Sequence, residues 1–335
     1  MRAIVLRGAG EPAALRVEDV PEPKAAPEQV LVRVQAAALN HRDVYIRRGQ
    51  YAGLRYPTTL GADGAGEVAA LGADVSAVKV GDRVLINPSL DWGDDQRVAG
   101  KSFRILGMPD NGTFAELVAV PAANVLPQPP ELTLEEAAAL PLAGLTAYRA
   151  LFSRGGLQPG ESALVTGIGG GVATLGLIMA RAVGARVYVT SGSDEKLRRA
   201  AELGAAAGYN YRTQDWVTAV RQATEGGPDL ILDSVGGATF EQALDAVRPG
   251  GRVVSYGATT GNAAQLTVRR VFWKQLSVLG TTMGSPADFA AMLHLVGEHS
   301  IRPVIDTVFP LAETGAALDR LERGEQFGKV VLRLD

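Results

Sequence analysis

The spacing of apolar and polar positions changes once along this chain. Up to about residue 123 the two kinds alternate in short runs, over 2–6 and most clearly over 28–36 (EQVLVRVQA). A period of two marks half-buried strands. Further short strands are expected over 66–71, 83–87 and 114–120. Turn residues separate them, at Pro21-Glu22-Pro23, Gly61, Gly64, Gly72 and Gly81-Asp82. Short strands at this spacing predict a partly closed β-barrel rather than a βαβ array. Residues 91–104 are polar without period and read as an excursion loop. Pro127, Pro129 and Pro130 make a link to the second half of the chain.

From Thr133 the period lengthens. Thr133 and Glu136 have capping-box spacing, which opens a helix over 135–140, and a second helix is expected over 144–152. Six short strands then alternate with helical stretches, at Leu164, Val187, 208–210, 230–233, 253–256 and 276–281. Six such strands complete a doubly wound dinucleotide fold. A helix over 287–299 and strands over 304–308 and 330–334 end the chain, the strands returning to the first domain. The expected class is α/β: residues 1–123 with 284–335 form the barrel domain, and 124–283 form the dinucleotide domain.

The stretch 162–196, SALVTGIGGGVATLGLIMARAVGARVYVTSGSDEK, carries the chemistry. It reads as strand, glycine turn, helix and strand, which is the unit that binds a dinucleotide pyrophosphate on a helix N-terminus. The glycines at Gly167, Gly169, Gly170 and Gly171 are not the strict G-x-G-x-x-G. Ala173 takes the third position if Gly170 is counted first, and the register is open by one residue. Gly169, Gly170, Gly171 and Val172 are the candidate phosphate contacts. NAD sites place an acid at the end of the second strand; here stand Ser191, Gly192 and Ser193, with Lys196 close behind and Tyr211-Arg212 after the third strand. Small hydroxyls and a cation suit a 2′-phosphate, so NADP(H) is the expected cofactor. In the alternative, Lys196 is a solvated residue of the next helix and Asp194 caps that helix. Loops at the carboxyl ends of later strands should line the same ligand, giving Ser234, Val235, Gly257, Ala258, Thr281 and Met283.

Composition narrows the rest. A chain of 335 residues with 47% apolar content, 40 Gly and 18 Pro suits a two-domain α/β enzyme. A net charge of −3 gives no basis for binding nucleic acid or an anionic membrane. Cysteine is absent, which excludes disulfides, thiolate metal sites and a cysteine nucleophile. No apolar run reaches membrane-spanning length and the N-terminus lacks a signal-peptide core, so the expectation is a cytoplasmic protein.

Several stretches together resemble the medium-chain dehydrogenase/reductase superfamily: 37–43 (AALNHRD), 60–68 (LGADGAGEV), 80–84 (VGDRV), 112–116 (GTFAE), 139–148 and the nucleotide unit. The resemblance implies a GroES-like catalytic domain joined to a Rossmann domain, with substrate and nicotinamide held between them. Zinc members hold their catalytic metal with Cys, His and Cys. The matching positions look like Asn40, Ala62 and Leu142, and the structural-zinc loop corresponds to 91–104, which has no cysteine. The expectation is that there is no metal. Among zinc-free members, Asn40 to Tyr51 and Ala62-Asp63 are similar to the quinone oxidoreductase branch, which reduces quinones or activated enones with NADPH.

Without a Lewis acid an unactivated alcohol is hard to polarise, whereas quinones and enones accept hydride readily. The candidates for work on the acceptor are Asn40 and Tyr45, with Asp43 orienting their loop and Thr146 beside the nicotinamide. Asn40 either contacts the acceptor carbonyl or ties the loop backbone; Tyr45 either contacts it or packs. The family pairs the last Rossmann strand between subunits, so a homodimer is expected. Two other readings stand: a zinc-dependent alcohol dehydrogenase with atypical ligands, and a non-catalytic NADP(H)-binding sensor.

Overall fold

The computed structural model describes residues 1–10 and 15–334. They form two compact units, Met1–Ala143 with Gly284–Asp335, and Gly144–Met283. Residues 124–143 group with the first unit, where the sequence pattern placed them in the second. The reason is the helix Leu134–Ala139, whose buried alanines pack on strands of that unit.

The first unit is built on the ten-residue strand Gln29–Ala38, whose inward valines Val30, Val32 and Val34 are buried. It pairs antiparallel with Asp63–Leu71 on one side and with Lys329–Arg333 on the other, and it also carries Leu117–Pro121. Ile305–Pro310 runs parallel to Lys329–Arg333, so the end of the chain does complete the sheet begun by its first hundred residues. Arg2–Leu6 joins Leu15–Asp19 and Thr58–Thr59 in a smaller antiparallel sheet. The register of Gln29–Ala38 against Asp63–Leu71 shifts twice. Next to the second shift Gly66 lies so close to the neighbouring strand that a Cβ would meet the Arg33 carbonyl oxygen at 1.9 Å. Only glycine fits there.

Two helices of this unit are not expected from the sequence pattern. The helix His41–Arg47 buries two arginines, each satisfied by oxygens. Arg42 donates to the carbonyls of Leu106 and Met108 and stacks on Tyr51; Arg47 pairs with Asp319 and Glu322 on the second such element, the helix Thr314–Glu322. The excursion loop is closed at its base by pairing of Ser89–Leu90 with Arg104–Ile105. It is held by Arg104, which bridges Asp91 at 2.8 Å and Asp110 at 2.7 Å, and by an edge-on Trp92–Phe103 pair.

In the second unit six parallel strands take the order Ala207–Asn210, Arg186–Ser191, Ser162–Val165, Leu230–Asp233, Arg252–Ser255, Ser277–Gly280. Numbered along the chain this is 3-2-1-4-5-6, the doubly wound order whose reversal beside Ser162–Val165 opens a crevice at the strands' carboxyl ends. Helices Gly171–Ala182, Asp194–Glu202, Trp216–Ala223 and Gly237–Ala246 connect the strands. The helix Pro141–Tyr148 widens into a π-helical stretch over Arg149–Arg154. No helix among the described residues is long and apolar enough to cross a membrane.

Candidate active site

In the first unit a buried polar cluster gathers where the strand Gln29–Ala38 turns into the helix His41–Arg47. Asn40 caps that helix, and its backbone N–H donates to the Asp43 carboxylate at 2.8 Å. Its side-chain amide donates to Asp63 Oδ2 at 2.9 Å, while its amide oxygen accepts from Lys329 at 2.7 Å. Lys329 also donates to the Leu39 carbonyl at 2.8 Å and to Asp63 Oδ2 at 2.9 Å. Asp63 Oδ1 accepts from the Leu142 N–H at 2.8 Å. Asp63 is 0% exposed and Lys329 3%. All three ammonium hydrogens have an oxygen, and both carboxylate oxygens have a donor. A buried ion pair is tolerable only with such full satisfaction.

Asp43 is also fully buried, and one of its oxygens has no partner. Burial pushes its carboxyl up to about 6; Asp63 adds to the rise, and Arg42 and Lys329 oppose it. Tyr45 lies half-buried on the same helix. Thr146, in the second unit, is buried on the helix Pro141–Tyr148.

Two of the three positions that match zinc ligands, Asn40 and Leu142, are thus tied to Asp63, and the third, Ala62, has no donor atom. Among the described residues no three His, Cys, Asp or Glu side chains come together to hold a metal. With an ammonium already hydrogen-bonded to Asn40 and Asp63, and no thiolate or imidazole beside them, the residues at these positions do not fit zinc.

The second unit carries the candidate nucleotide residues. Gly167 and Gly169 have positive φ, and Gly170 caps the helix Gly171–Ala182. Gly170, Gly171 and Val172 therefore stand at the helix N-terminus, where backbone N–H groups lack intrahelical partners and favour an anion. The side chain of Lys196 lies over Gly169, so close that a Cβ there would meet its Cδ at 2.8 Å and Nζ at 3.0 Å. Arg212 Nε and the Tyr211 hydroxyl would each stand 2.7 Å from a Cβ on Gly192. One cation, Arg212, and one phenol, Tyr211, therefore lie against Gly192, and a second cation, Lys196, lies over Gly169. The helix cap is Ser193, whose hydroxyl accepts from the Lys196 N–H, and not Asp194, whose carboxylate takes the Asn210 amide at 2.6 Å.

Asp233 joins the two strands that flank the crevice. It is 0% exposed and accepts from the Thr166 hydroxyl at 2.6 Å and from the Gly236 N–H at 3.0 Å. Burial holds its carboxyl above the usual carboxylate range. The loop it fixes brings Ser234 and Val235 beside Gly257 and Ala258: Thr259 N–H donates to the Ser234 carbonyl, and Gly236 packs on Ala258. Thr281 follows the edge strand, its hydroxyl buried without a partner, and Met283 is buried with positive φ.

Lys329 and Asp63 are the site residues that sequence reasoning missed. Each is the first residue of its strand, where a charge reads as a solvated end.

Two family models match the chain: an alcohol dehydrogenase GroES-like domain over residues 26–130 and a zinc-binding dehydrogenase domain over 171–298. The zinc-type alcohol dehydrogenase-like protein YogA of Leptosphaeria maculans is 35% identical, covering 96% of this chain and 94% of its own. A crystal structure of an NAD-dependent alcohol dehydrogenase superposes with a TM-score of 0.95 at 41% identity over the whole of both chains. A quinone oxidoreductase of Pseudomonas syringae pv. Tomato DC3000 gives a TM-score of 0.85 at 29% identity over 99% of each chain. The chain belongs to the medium-chain dehydrogenase/reductase superfamily, whose members are oxidoreductases that use nicotinamide cofactors.

Proposed function

We propose that the protein is an NADPH-dependent reductase that transfers hydride to a quinone, an enone or another activated carbonyl without a metal. The observation that carries this reading is the saturated Lys329–Asp63–Asn40 cluster, which offers a divalent cation no vacant oxygen. A site without a Lewis acid suits acceptors that need little polarisation. Bound NADPH supplies the hydride. The chain's residues bind and orient: the N–H groups at Gly170, Gly171 and Val172 receive the pyrophosphate, and Lys196, Arg212, Tyr211, Ser191 and Ser193 receive the 2′-phosphate. Tyr45 offers a hydroxyl to the acceptor oxygen, Thr146 stands beside the nicotinamide, and Asn40 and Asp43 fix the start of the helix that carries Tyr45. The proton that balances the hydride comes from water.

The active species is a homodimer joined through the strand Ser277–Gly280. That strand ends its sheet, and beside it Trp273 is 76% and Phe272 63% exposed, with Val278 also open. An unpaired strand edge beside large exposed apolar side chains favours a second copy.

Initial rates with phenanthrenequinone and with a small enone, using NADPH and then NADH, test the reading. It expects turnover with preference for NADPH. Turnover confined to a simple alcohol with NAD would replace it, and nucleotide binding with no turnover on any acceptor would make the protein a sensor.

A further inference from the structure

Of the positions that match the zinc ligands of the superfamily, Asn40 accepts from the Lys329 ammonium, and Leu142 is tied to the Asp63 carboxylate that the same ammonium bonds. We propose that the Lys329 ammonium serves as a tethered internal cation, a positioning residue that holds the Asn40 amide and the Asp63 carboxylate in place of a metal. Three oxygens surround it at 2.7, 2.8 and 2.9 Å, from a side-chain amide, a backbone carbonyl and a carboxylate. Three donors on one nitrogen meet three acceptors, which leaves the cation no further hydrogen bond to give.

The geometry says what the cation positions. Leu39 follows the strand Gln29–Ala38 and Asn40 caps the helix His41–Arg47, so the ammonium clamps the corner between them from the strand Lys329–Arg333. It also sets the Asn40 amide the right way round, oxygen toward Lys329 and nitrogen toward Asp63. Asp63 in turn receives the Leu142 N–H at the head of the helix Pro141–Tyr148. One ammonium thereby orders three chain segments. Without it, Asp63 is left a buried carboxylate with no counter-charge, which is the costly way to break such a pair. The effect on turnover passes through Asn40 and the helix carrying Tyr45, and that part rests on the proposed reductase reading.

The test uses Lys329→Ala, which removes the atoms of n-propylammonium. Thermal unfolding is followed in n-propylammonium, tetramethylammonium and potassium chloride at equal ionic strength. The expected result is that propylammonium alone raises the melting temperature of the variant and leaves the parent protein where it was. Equal responses of the variant to all three salts overturn the proposal, because tetramethylammonium carries charge without N–H donors. Asp63→Asn/Lys329→Met, which removes both charges, covers the case in which Lys329→Ala does not fold. It is expected to melt closer to the parent than Asp63→Asn does, to bind NADPH unchanged by fluorescence, and to lose about tenfold in kcat. Parental kcat in the double variant overturns the positioning role. If the parent protein itself turns over no acceptor, the reductase reading fails, while the propylammonium result still decides whether Lys329 is an internal cation.

Discussion

Lys329 and Asp63 lie 266 residues apart in sequence and meet at 2.9 Å inside the first unit, both almost without solvent exposure. The pair forms because two strands that bracket the chain, Asp63–Leu71 and Lys329–Arg333, both hydrogen-bond the same central strand, Gln29–Ala38. Each charge opens its strand, and each is compensated by the other and by neighbouring amides. This packing decides the chemistry open to the site. The oxygens of Asp63 and the amide oxygen of Asn40 are already hydrogen-bonded within the protein.

Arg212 beside Gly192, just past the strand Arg186–Ser191, and Lys196 over Gly169 make cofactor preference a measurable quantity. Lys196→Ala and Arg212→Ala should each raise the KM for NADPH about tenfold, the scale of one charge-assisted phosphate contact, and leave the KM for NADH within error. Initial-rate kinetics with both nucleotides checks this. Equal effects on the two cofactors would place these side chains away from the 2′-phosphate.

Asp43 links stability to pH. Its carboxyl is raised in the fold from 3.8 to about 6, chiefly by burial. The folded state therefore binds this proton more tightly than the unfolded chain does. The stability it contributes is fully present below 3.8 and is lost as pH rises to about 6. Asp43→Asn retains an acceptor for the Asn40 N–H and lacks the titration. Urea unfolding of both proteins across this window should show the parent losing stability relative to the variant as pH rises, by on the order of 2–3 kcal/mol. Parallel pH profiles would contradict the assignment.

Gly66 is the most constrained position of the central sheet. A methyl group there would sit 1.9 Å from the Arg33 carbonyl oxygen, which is backbone and cannot swing away. Gly66→Ala should cost about 3 kcal/mol or more, read from the denaturant midpoint, or prevent soluble expression. A variant with parental stability would show that the two strands can separate at this point.

Much of this architecture is legible in the amino-acid pattern. The central strands of the second unit, Ser162–Val165 and Leu230–Asp233, stand out as short apolar runs between helices, because buried parallel strands have no polar face to blur the pattern. The glycine turn is equally plain, since only glycine takes its positive φ without strain. The helix His41–Arg47 is not legible. Three arginines within residues 42–48 leave no apolar stripe, and the helix depends on distant oxygens at Leu106, Met108 and Glu322 to bury two of those charges. Lys329 is hidden for a related reason. At the head of a strand a lysine reads as a solvated end, and its partners at Asn40 and Asp63 lie at the other end of the chain. Arg212 stands out in the sequence only as the neighbour of Tyr211, and its direction toward Gly192 depends on the strand order of the sheet.

The exposed edge at Ser277–Gly280 bears on assembly. Trp273→Glu places a charge among apolar side chains that a partner copy would bury, so light scattering should find the parent at twice the monomer mass and the variant as a monomer. A variant that stays dimeric would locate the interface on another face.

Metal independence is the central claim, and chelation tests it most directly. The protein is dialysed against EDTA and 1,10-phenanthroline, its zinc content is measured, and NADPH oxidation with phenanthrenequinone is compared before treatment, after treatment and after zinc is returned. The cluster of Lys329, Asp63 and Asn40 predicts the same kcat in all three samples, with zinc far below one per chain in the treated protein. Activity that vanishes with the metal and returns with zinc would contradict it.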